Sequence, residues 1–104
     1  MSVSYLIEFA VLSVERERFL ILLNGVLDMM RGEKMFVNAT LHADPKDENR
    51  FLLHETWSDH DDVLDVQLHK DYRHAWHEAL PTLLQQPRSV SLWTPLRYDR
   101  TPRT

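Results

Sequence analysis

The side chains of residues 51–57 alternate between two faces, and the apolar side chains that follow have helical spacing. This change of period limits the folds that the chain can adopt. Glu55 and Trp57 fall on one face of the alternating segment, and Leu52, His54 and Thr56 fall on the other. A period of two residues is typical of a β-strand, because successive side chains point to opposite sides of the sheet. The segment therefore predicts a strand that carries one carboxylate among apolar neighbours.

The residues after position 57 change to helical spacing. Ser58 is predicted as a helix N-cap, because acidic residues follow it in the first turn. Apolar spacing indicates a short helix and, after a break near Lys70, a second helix with Tyr72 and Trp76 on one face. Pro81 lacks an amide hydrogen and is predicted to kink or end this second helix near residue 80.

The rest of the chain adds three strands and a longer helix. The strands are predicted at residues 3–11, 35–42 and 89–96, the helix at 13–31 with Ser13 as N-cap, and a polar turn at 43–49. The element order is βαββα(α)β, and right-handed crossovers make the sheet antiparallel with all helices on one face. The predicted fold class is α+β, ferredoxin-like.

Length and patterning predict one domain and a dimer. The chain of 104 residues is divided into a domain at residues 1–97 and a flexible tail at 98–104 that lacks apolar spacing. Apolar side chains occur on both strand faces, whereas the helices can cover only one of them. A homodimer that packs sheet against sheet is therefore predicted, with Leu6, Leu52 and Trp93 as interface candidates.

Composition excludes several classes of function. The net charge of −4 gives no basic surface for nucleic acid, and the absence of cysteine excludes disulfides and thiolate metal sites. Glu8 interrupts the apolar N-terminal run, so neither a signal peptide nor a membrane span is predicted. No complete metal-ligand set or nucleotide motif is present. A cytoplasmic protein without a metal or cofactor is expected.

The string FLLHETWSDHDDVLDVQLHKDYRHAW resembles the signature of the antibiotic biosynthesis monooxygenase domain. The matching features are Glu55-x-Trp57, the acidic segment 58–62, Gln67 on the first helix, and Tyr72 with Arg73 before the second. The resemblance extends from the first strand to the last and implies a dimeric α/β-barrel. The family includes cofactor-independent oxygenases of quinols and polyketides, heme-degrading enzymes, signal-processing proteins and members without assigned activity.

This sequence departs from the family at positions that bear on activity. Many members carry histidine where Gln67 stands. In heme-degrading relatives an asparagine, a tryptophan and a histidine fall, by this resemblance, at Phe9, Gln67 and His77. Only His77 matches, so heme degradation is the least favoured of the functions that the resemblance implies.

The resemblance and the residue types together predict a cofactor-independent monooxygenase. Its partners would be dioxygen and a small aromatic, quinol-like or polyketide-like molecule, held between the third strand and the helices. His77 would be the base with His69 in reserve, and Tyr72, Arg73 and Gln67 would donate hydrogen bonds. Glu55 would orient the base or form an ion pair with Arg73 or Arg50.

The predicted catalytic residues are Glu55, Tyr72, Arg73 and His77, and the predicted substrate-binding residues are Phe9, Trp57, Gln67, His69 and Trp76. The alternative is a non-catalytic small-ligand-binding or stress-associated protein on the same fold.

Overall fold

The computed structural model describes residues 1–102, and residues 103 and 104 lie outside its description. Its elements are β1 (Val3–Ala10), α1 (Arg16–Met30), β2 (Phe36–Asp44), β3 (Asp47–Trp57), α2 (His60–Asp65), α3 (His74–Leu83) and β4 (Ser89–Trp93). Short 3₁₀ turns at Ser13–Glu15, Gln67–His69 and Asp71–Arg73 connect them. The order of elements is the predicted one.

The four strands form one antiparallel sheet in the order β2-β3-β1-β4. The inner face of this sheet is covered by the helices, and the outer face points away from them. Inner-face side chains of β1, β3 and β4 are Tyr5, Ile7, Phe9, Phe51, Leu53, Glu55, Trp57, Val90 and Leu92. Outer-face side chains of the same strands are Ser4, Leu6, Glu8, Leu52, His54, Thr56, Ser91 and Trp93. The α+β, ferredoxin-like prediction is confirmed.

Aromatic packing joins the inner face to both long helices. Phe9 of β1 meets Phe19 of α1 with ring centroids 5.1 Å apart and Trp76 of α3 with centroids 5.8 Å apart. Phe19 and Trp76 also contact each other, at 5.6 Å. These tilted and edge-on contacts are the favoured arrangements of aromatic rings. The apolar spacing of α1 therefore has a direct structural counterpart in the core.

Two pairs of polar groups on the outer face interact within the chain. The hydroxyls of Ser4 and Thr56 are hydrogen-bonded at 2.7 Å, and Arg50 forms an ion pair with Glu8 at 2.9 Å. Leu6 is half-buried and Trp93 is 58% exposed. Apolar side chains thus remain partly accessible on the outer face.

Both predicted N-caps are wrong. Asp59, not Ser58, caps α2, because its carboxylate accepts a hydrogen bond from the amide of Asp62. The amide of Ser58 donates instead to the carbonyl of Met35, which holds the chain against β2. Ser13 makes no capping bond and belongs to a 3₁₀ turn, so α1 begins only at Arg16.

Tertiary pairing also moves two predicted boundaries. The predicted polar turn at residues 43–49 is mostly strand, because Asp44 pairs with Asp47 and leaves only Pro45 and Lys46 in the turn. Pro81 does not end α3, which continues to Leu83. Leu83 is fully buried, and this apolar burial offsets the single backbone hydrogen bond that proline removes.

The last described residues, 94–102, form neither helix nor strand and are exposed. The predicted tail at 98–104 extends beyond them, and its final two residues lie outside the described part of the chain. Within residues 1–102, no helix combines the length and apolar character needed to cross a membrane.

Candidate functional site

A cavity of about 320 Å³ lies between the inner face and the helices. Apolar side chains from β1, β3, β4 and all three helices form most of its walls. The polar residues that line it are Tyr5, Glu55, His60, Arg73, His77 and Arg88. An apolar pocket with a few convergent polar groups is the usual form of a small-molecule site.

Arg73 is the most enclosed cation of this cavity. The side chain is only 6% exposed, and its guanidinium carbon lies 5.8 Å from the centre of the Trp57 ring and 5.7 Å from that of Tyr72. These cation–π contacts hold the guanidinium in place. Its Nε and Nη2 atoms are buried and have no hydrogen-bond partner among the described residues. The N–H donors of these two nitrogen atoms therefore remain unused within the described residues.

Glu55 is the one carboxylate among the lining residues. The indole Nε1 of Trp57 donates a hydrogen bond to it at 3.2 Å, and no ion pair shorter than 4.0 Å reaches it within residues 1–102. Burial raises the pKa of Glu55, and the nearby charges of Arg73 and Arg88 oppose this effect only in part. Glu55 is thus balanced by cations at a distance and does not form the predicted close pair with Arg73.

His77 of α3 is a half-buried imidazole at the cavity wall. Burial lowers the pKa of His77, and the positive charges of Arg88 and Arg73 lower it further. The imidazole is therefore mostly neutral at pH 7 and can accept a proton. Free guanidinium donors and a neutral base in one apolar cavity are the requirements for forming and stabilising an organic anion.

A tyrosine–histidine pair adds a second proton-transfer group. The hydroxyl of Tyr5 is hydrogen-bonded to Nδ1 of His60 at 2.7 Å, and both residues line the cavity. Burial raises the pKa of Tyr5, and the nearby charge of Glu55 raises it further. The phenol is therefore protonated at neutral pH and is in a position to donate.

A second, outer cavity of about 650 Å³ adjoins the first. It lies beneath the loop between α3 and β4 and shares Leu68, His77 and Arg88 with the first cavity. These three side chains form the boundary between the two spaces.

The structure brings five of the predicted site residues together and separates four from the cavity. Phe9, Glu55, Arg73, Trp76 and His77 line it, whereas Trp57, Gln67, His69 and Tyr72 do not. Trp57 and Tyr72 lie behind the cavity wall, where their rings hold Arg73. They therefore position a polar group and do not form walls.

Gln67 and His69 were predicted to line the cavity but do not, because they lie on a 3₁₀ turn. The amide nitrogen of Gln67 donates to Glu33 at 3.3 Å and to Asp62 at 3.1 Å, away from the cavity. His69 is exposed, so the break near Lys70 does not turn it inward as expected.

Three polar lining residues were not predicted: Tyr5, His60 and Arg88. Tyr5 shares the face of Ile7 and Phe9 by strand alternation, which places it among the core side chains, but nothing local connects it to His60. Arg88 follows Pro87 just ahead of β4, and no spacing in the sequence indicates that it points inward. Within the described residues, no group of three or more His, Cys, Asp or Glu side chains is arranged to hold a metal ion.

Solved structures share this architecture. Rv0793 from Mycobacterium tuberculosis is 18% identical, has a TM-score of 0.85, and the match covers 96% of this chain and 100% of that one. A structure described as antibiotic biosynthesis monooxygenase is 18% identical with a TM-score of 0.81, covering 91% and 99%. The chain has the fold of the antibiotic biosynthesis monooxygenase domain. SnoaB, a cofactor-independent oxygenase from Streptomyces nogalater, is 20% identical with a TM-score of 0.78, covering 93% and 95%.

At these identities the likeness concerns the fold alone. No protein-family model matches the sequence, and no curated protein matches it.

Proposed function

We propose that this protein is a cofactor-independent monooxygenase of a small, electron-rich aromatic, such as a quinol or an anthrone-like polyketide. In an anthrone-like substrate an activated CH₂ group becomes C=O, one atom of dioxygen enters the product, and the other leaves as water. The substrate supplies all the electrons, so the reaction balances without a further reductant. The likeness in fold to SnoaB supports this reaction class.

The observation that carries the proposal is the presence of His77 and Arg73 in the same apolar cavity. A base with a lowered pKa can take a proton from the substrate at neutral pH, and the free guanidinium donors can stabilise the resulting anion. A substrate anion is far more easily oxidised by dioxygen than the neutral molecule. The chemistry therefore depends mainly on these two residues.

The other lining groups complete the sequence of steps. Trp76 and Phe9 would contact the aromatic ring, and Val90 and Leu92 of β4 would cover its opposite side. After oxygen adds to the substrate, the peroxide anion needs a proton before its O–O bond breaks. The hydroxyl of Tyr5, hydrogen-bonded to His60, would supply it and regain a proton through the imidazole.

Oxygen consumption with a panel of quinols and anthrones tests the proposal. His77→Gln should reduce turnover by about 10²–10⁴-fold, the usual cost of losing a positioned base. The matched control is His42→Gln, because His42 is exposed on β2 and lies outside both cavities. Equal loss in both variants, or full activity of a folded His77→Gln protein, would contradict the site assignment.

The same assay distinguishes catalysis from simple binding. Trp76 lines the cavity, so an aromatic ligand should quench its fluorescence whether or not it reacts. Quenching without oxygen consumption across the panel would favour the alternative of a small-ligand-binding protein.

We further propose that the protein acts as a homodimer through its outer sheet face. Leu6, Leu52 and Trp93 leave apolar area on that face, and two of its polar pairs, Ser4 with Thr56 and Glu8 with Arg50, are formed within the chain. Burying this surface against a second copy would remove apolar area from water.

A further inference from the structure

The charge of the two cavities is opposite in sign to that of the whole chain. The sequence carries a net charge of −4. The two cavities are lined by two arginines, Arg73 and Arg88, and by a single carboxylate, Glu55. The charges of these three side chains sum to one positive charge in excess. An enclosed surface of one sign attracts ligands of the other sign, particularly between apolar walls.

Neither arginine is neutralised by a close partner. Within residues 1–102, no carboxylate lies within 4.0 Å of either guanidinium group, although other arginines of the chain form such pairs. Arg73 is nine-tenths buried, and its Nε and Nη2 atoms have no hydrogen-bond partner among residues 1–102. Buried charges in proteins are normally paired, so unpaired ones in a cavity indicate an anionic ligand.

The two arginines occupy different positions. Arg73 is held at the wall of the inner cavity by the rings of Trp57 and Tyr72, which lie behind it. Arg88 lies at the boundary of the inner and outer cavities and is half-buried. An anion held at Arg88 would leave the aromatic part of the same molecule free to enter the inner cavity beside Trp76. Arg88 is therefore placed to bind a substituent and Arg73 to face the reacting ring.

We propose that the ligand is an aromatic carboxylic acid whose carboxylate binds Arg88 at the junction of the two cavities. The proposal rests on the proposed function and deepens it, because it names the acidic substituent of the substrate. A carboxylate fits the planar guanidinium with two parallel hydrogen bonds. Its single charge matches the single excess positive charge, whereas a phosphate monoester carries nearly twice that charge and would remain partly unbalanced.

Calorimetric titration with 2-naphthoate and its uncharged isostere 2-naphthamide tests this without any turnover. Neither compound is a quinol, so the result stands even if no oxygenase activity is found. The wild-type protein should bind the carboxylate about 10- to 100-fold more tightly than the amide, the range for a hydrogen bond to a charged group. In Arg88→Gln this preference should disappear while the amide still binds.

Two further variants provide a control and a conservative substitution at Arg88. Arg97→Gln is the matched control, because Arg97 is 82% exposed and lies outside both cavities; it should retain the full preference. Arg88→Lys keeps the charge but loses the planar fork, so it should retain only part of the preference, and it replaces Arg88→Gln if that variant fails to fold. Equal affinity of the wild type for both compounds, binding of neither, or an unchanged preference in the Arg88 variants would overturn the proposal.

Discussion

The two sides of the sheet differ in whether nearby polar groups find partners within the chain. On the outer face Ser4 and Thr56 satisfy each other at 2.7 Å, and Glu8 is paired with Arg50 at 2.9 Å. On the other side Arg73, which lies on the 3₁₀ turn before α3 and packs against Trp57 of the inner face, keeps unpaired N–H donors in a buried position. Groups that serve only the fold are normally paired within the chain, whereas groups that serve a ligand are left with unused bonding capacity. The unpaired buried donors thus lie on the side of the sheet that carries the cavity.

The contrast arises from adjacent residues of single strands. His54 and Glu55 of β3 differ by one position, and strand alternation sends one to each face. Leu6 and Tyr5 of β1 divide in the same way. A shift of one residue in the pairing of either strand would exchange the two faces completely. The separation of the proposed binding face from the proposed dimer face therefore depends on strand register.

The largest expected effect concerns the two tryptophans of the sheet. Trp57 is fully buried and packs edge-on against Phe36 with ring centroids 5.4 Å apart, so Trp57→Ala should cost about 3–5 kcal/mol of stability. Trp93→Ala on the outer face should cost less, and its effect should grow with protein concentration if that face forms the dimer. Chemical denaturation at two protein concentrations measures both. A loss for Trp57→Ala no larger than that for Trp93→Ala would contradict the assignment of the core face.

A charge on the outer face should disrupt association. Leu6→Glu places two carboxylates in a symmetric interface and should weaken dimerisation by about 2 kcal/mol or more, the range of a central interface residue. Ile21→Glu is the matched control, because Ile21 is an exposed apolar residue of α1 on the helical side. Light scattering over a dilution series measures the dimer fraction. Dissociation by Ile21→Glu but not by Leu6→Glu would assign the interface to the helices.

The pH dependence of turnover should reveal the pKa of His77, which lines the cavity on the inner side of the sheet. The base acts in its neutral form, so turnover should fall as pH decreases through the pKa of His77, by about tenfold for each unit below it. Burial and the two arginines lower this pKa, so the midpoint should lie below 6.5 and the rate should be level at neutral pH. His54→Gln on the outer face should leave the profile unchanged. A midpoint at or above 6.5 would argue against His77 as the base.

The smallest effect should appear in the stability of Glu55→Gln. The folded pKa of Glu55 is raised above its ordinary value of 4.5, so the folded state binds more protons than the unfolded state as pH rises above 4.5. Stability is therefore lost as pH rises through the folded pKa, and the neutral glutamine avoids this loss. The melting temperature at pH 7 should rise by a few degrees, since 1 kcal/mol corresponds to about 4–8 °C in a domain of this size.

Two comparisons check this interpretation of Glu55. The gain should vanish below pH 4.5, where both side chains are neutral. Glu8→Gln, which breaks an exposed ion pair on the outer face, should give no comparable gain. A lower melting temperature for Glu55→Gln at pH 7 would show that the carboxylate is stabilised and not penalised by its surroundings.

The sequence predicts those features that depend on local spacing. Alternation in residues 51–57 is sufficient to assign every side chain of that segment to the correct face. The same holds for β1 and for the buried stripe of α1, which includes Phe19, Leu23 and Val26. These patterns are repeated over many residues, so single exceptions do not obscure them.

Features that depend on distant partners could not be predicted in this way. The side chain of Asp59 and not that of Ser58 caps α2, and the difference depends on the contact of Ser58 with Met35, which is distant in sequence. Tyr5 and His60 are 55 positions apart, and their hydrogen bond is created only by the sheet and the following turn. Arg88 is positioned by the loop between α3 and β4, which has no periodic pattern. Strand alternation and helical spacing thus indicated Phe9, Glu55 and Trp76 as lining residues, whereas Gln67 and His69, on an irregular turn, lie outside the cavity.

The position of β4 has a consequence for how a ligand reaches the cavity. This strand has five residues and pairs only with β1, yet Val90 and Leu92 form part of the cavity wall. Detaching it breaks a single row of backbone hydrogen bonds and leaves the aromatic core of Phe9, Phe19 and Trp76 intact. Such local opening costs much less than global unfolding. Amide hydrogen exchange should therefore be faster in β4 than in β3, and a bound ligand should slow it.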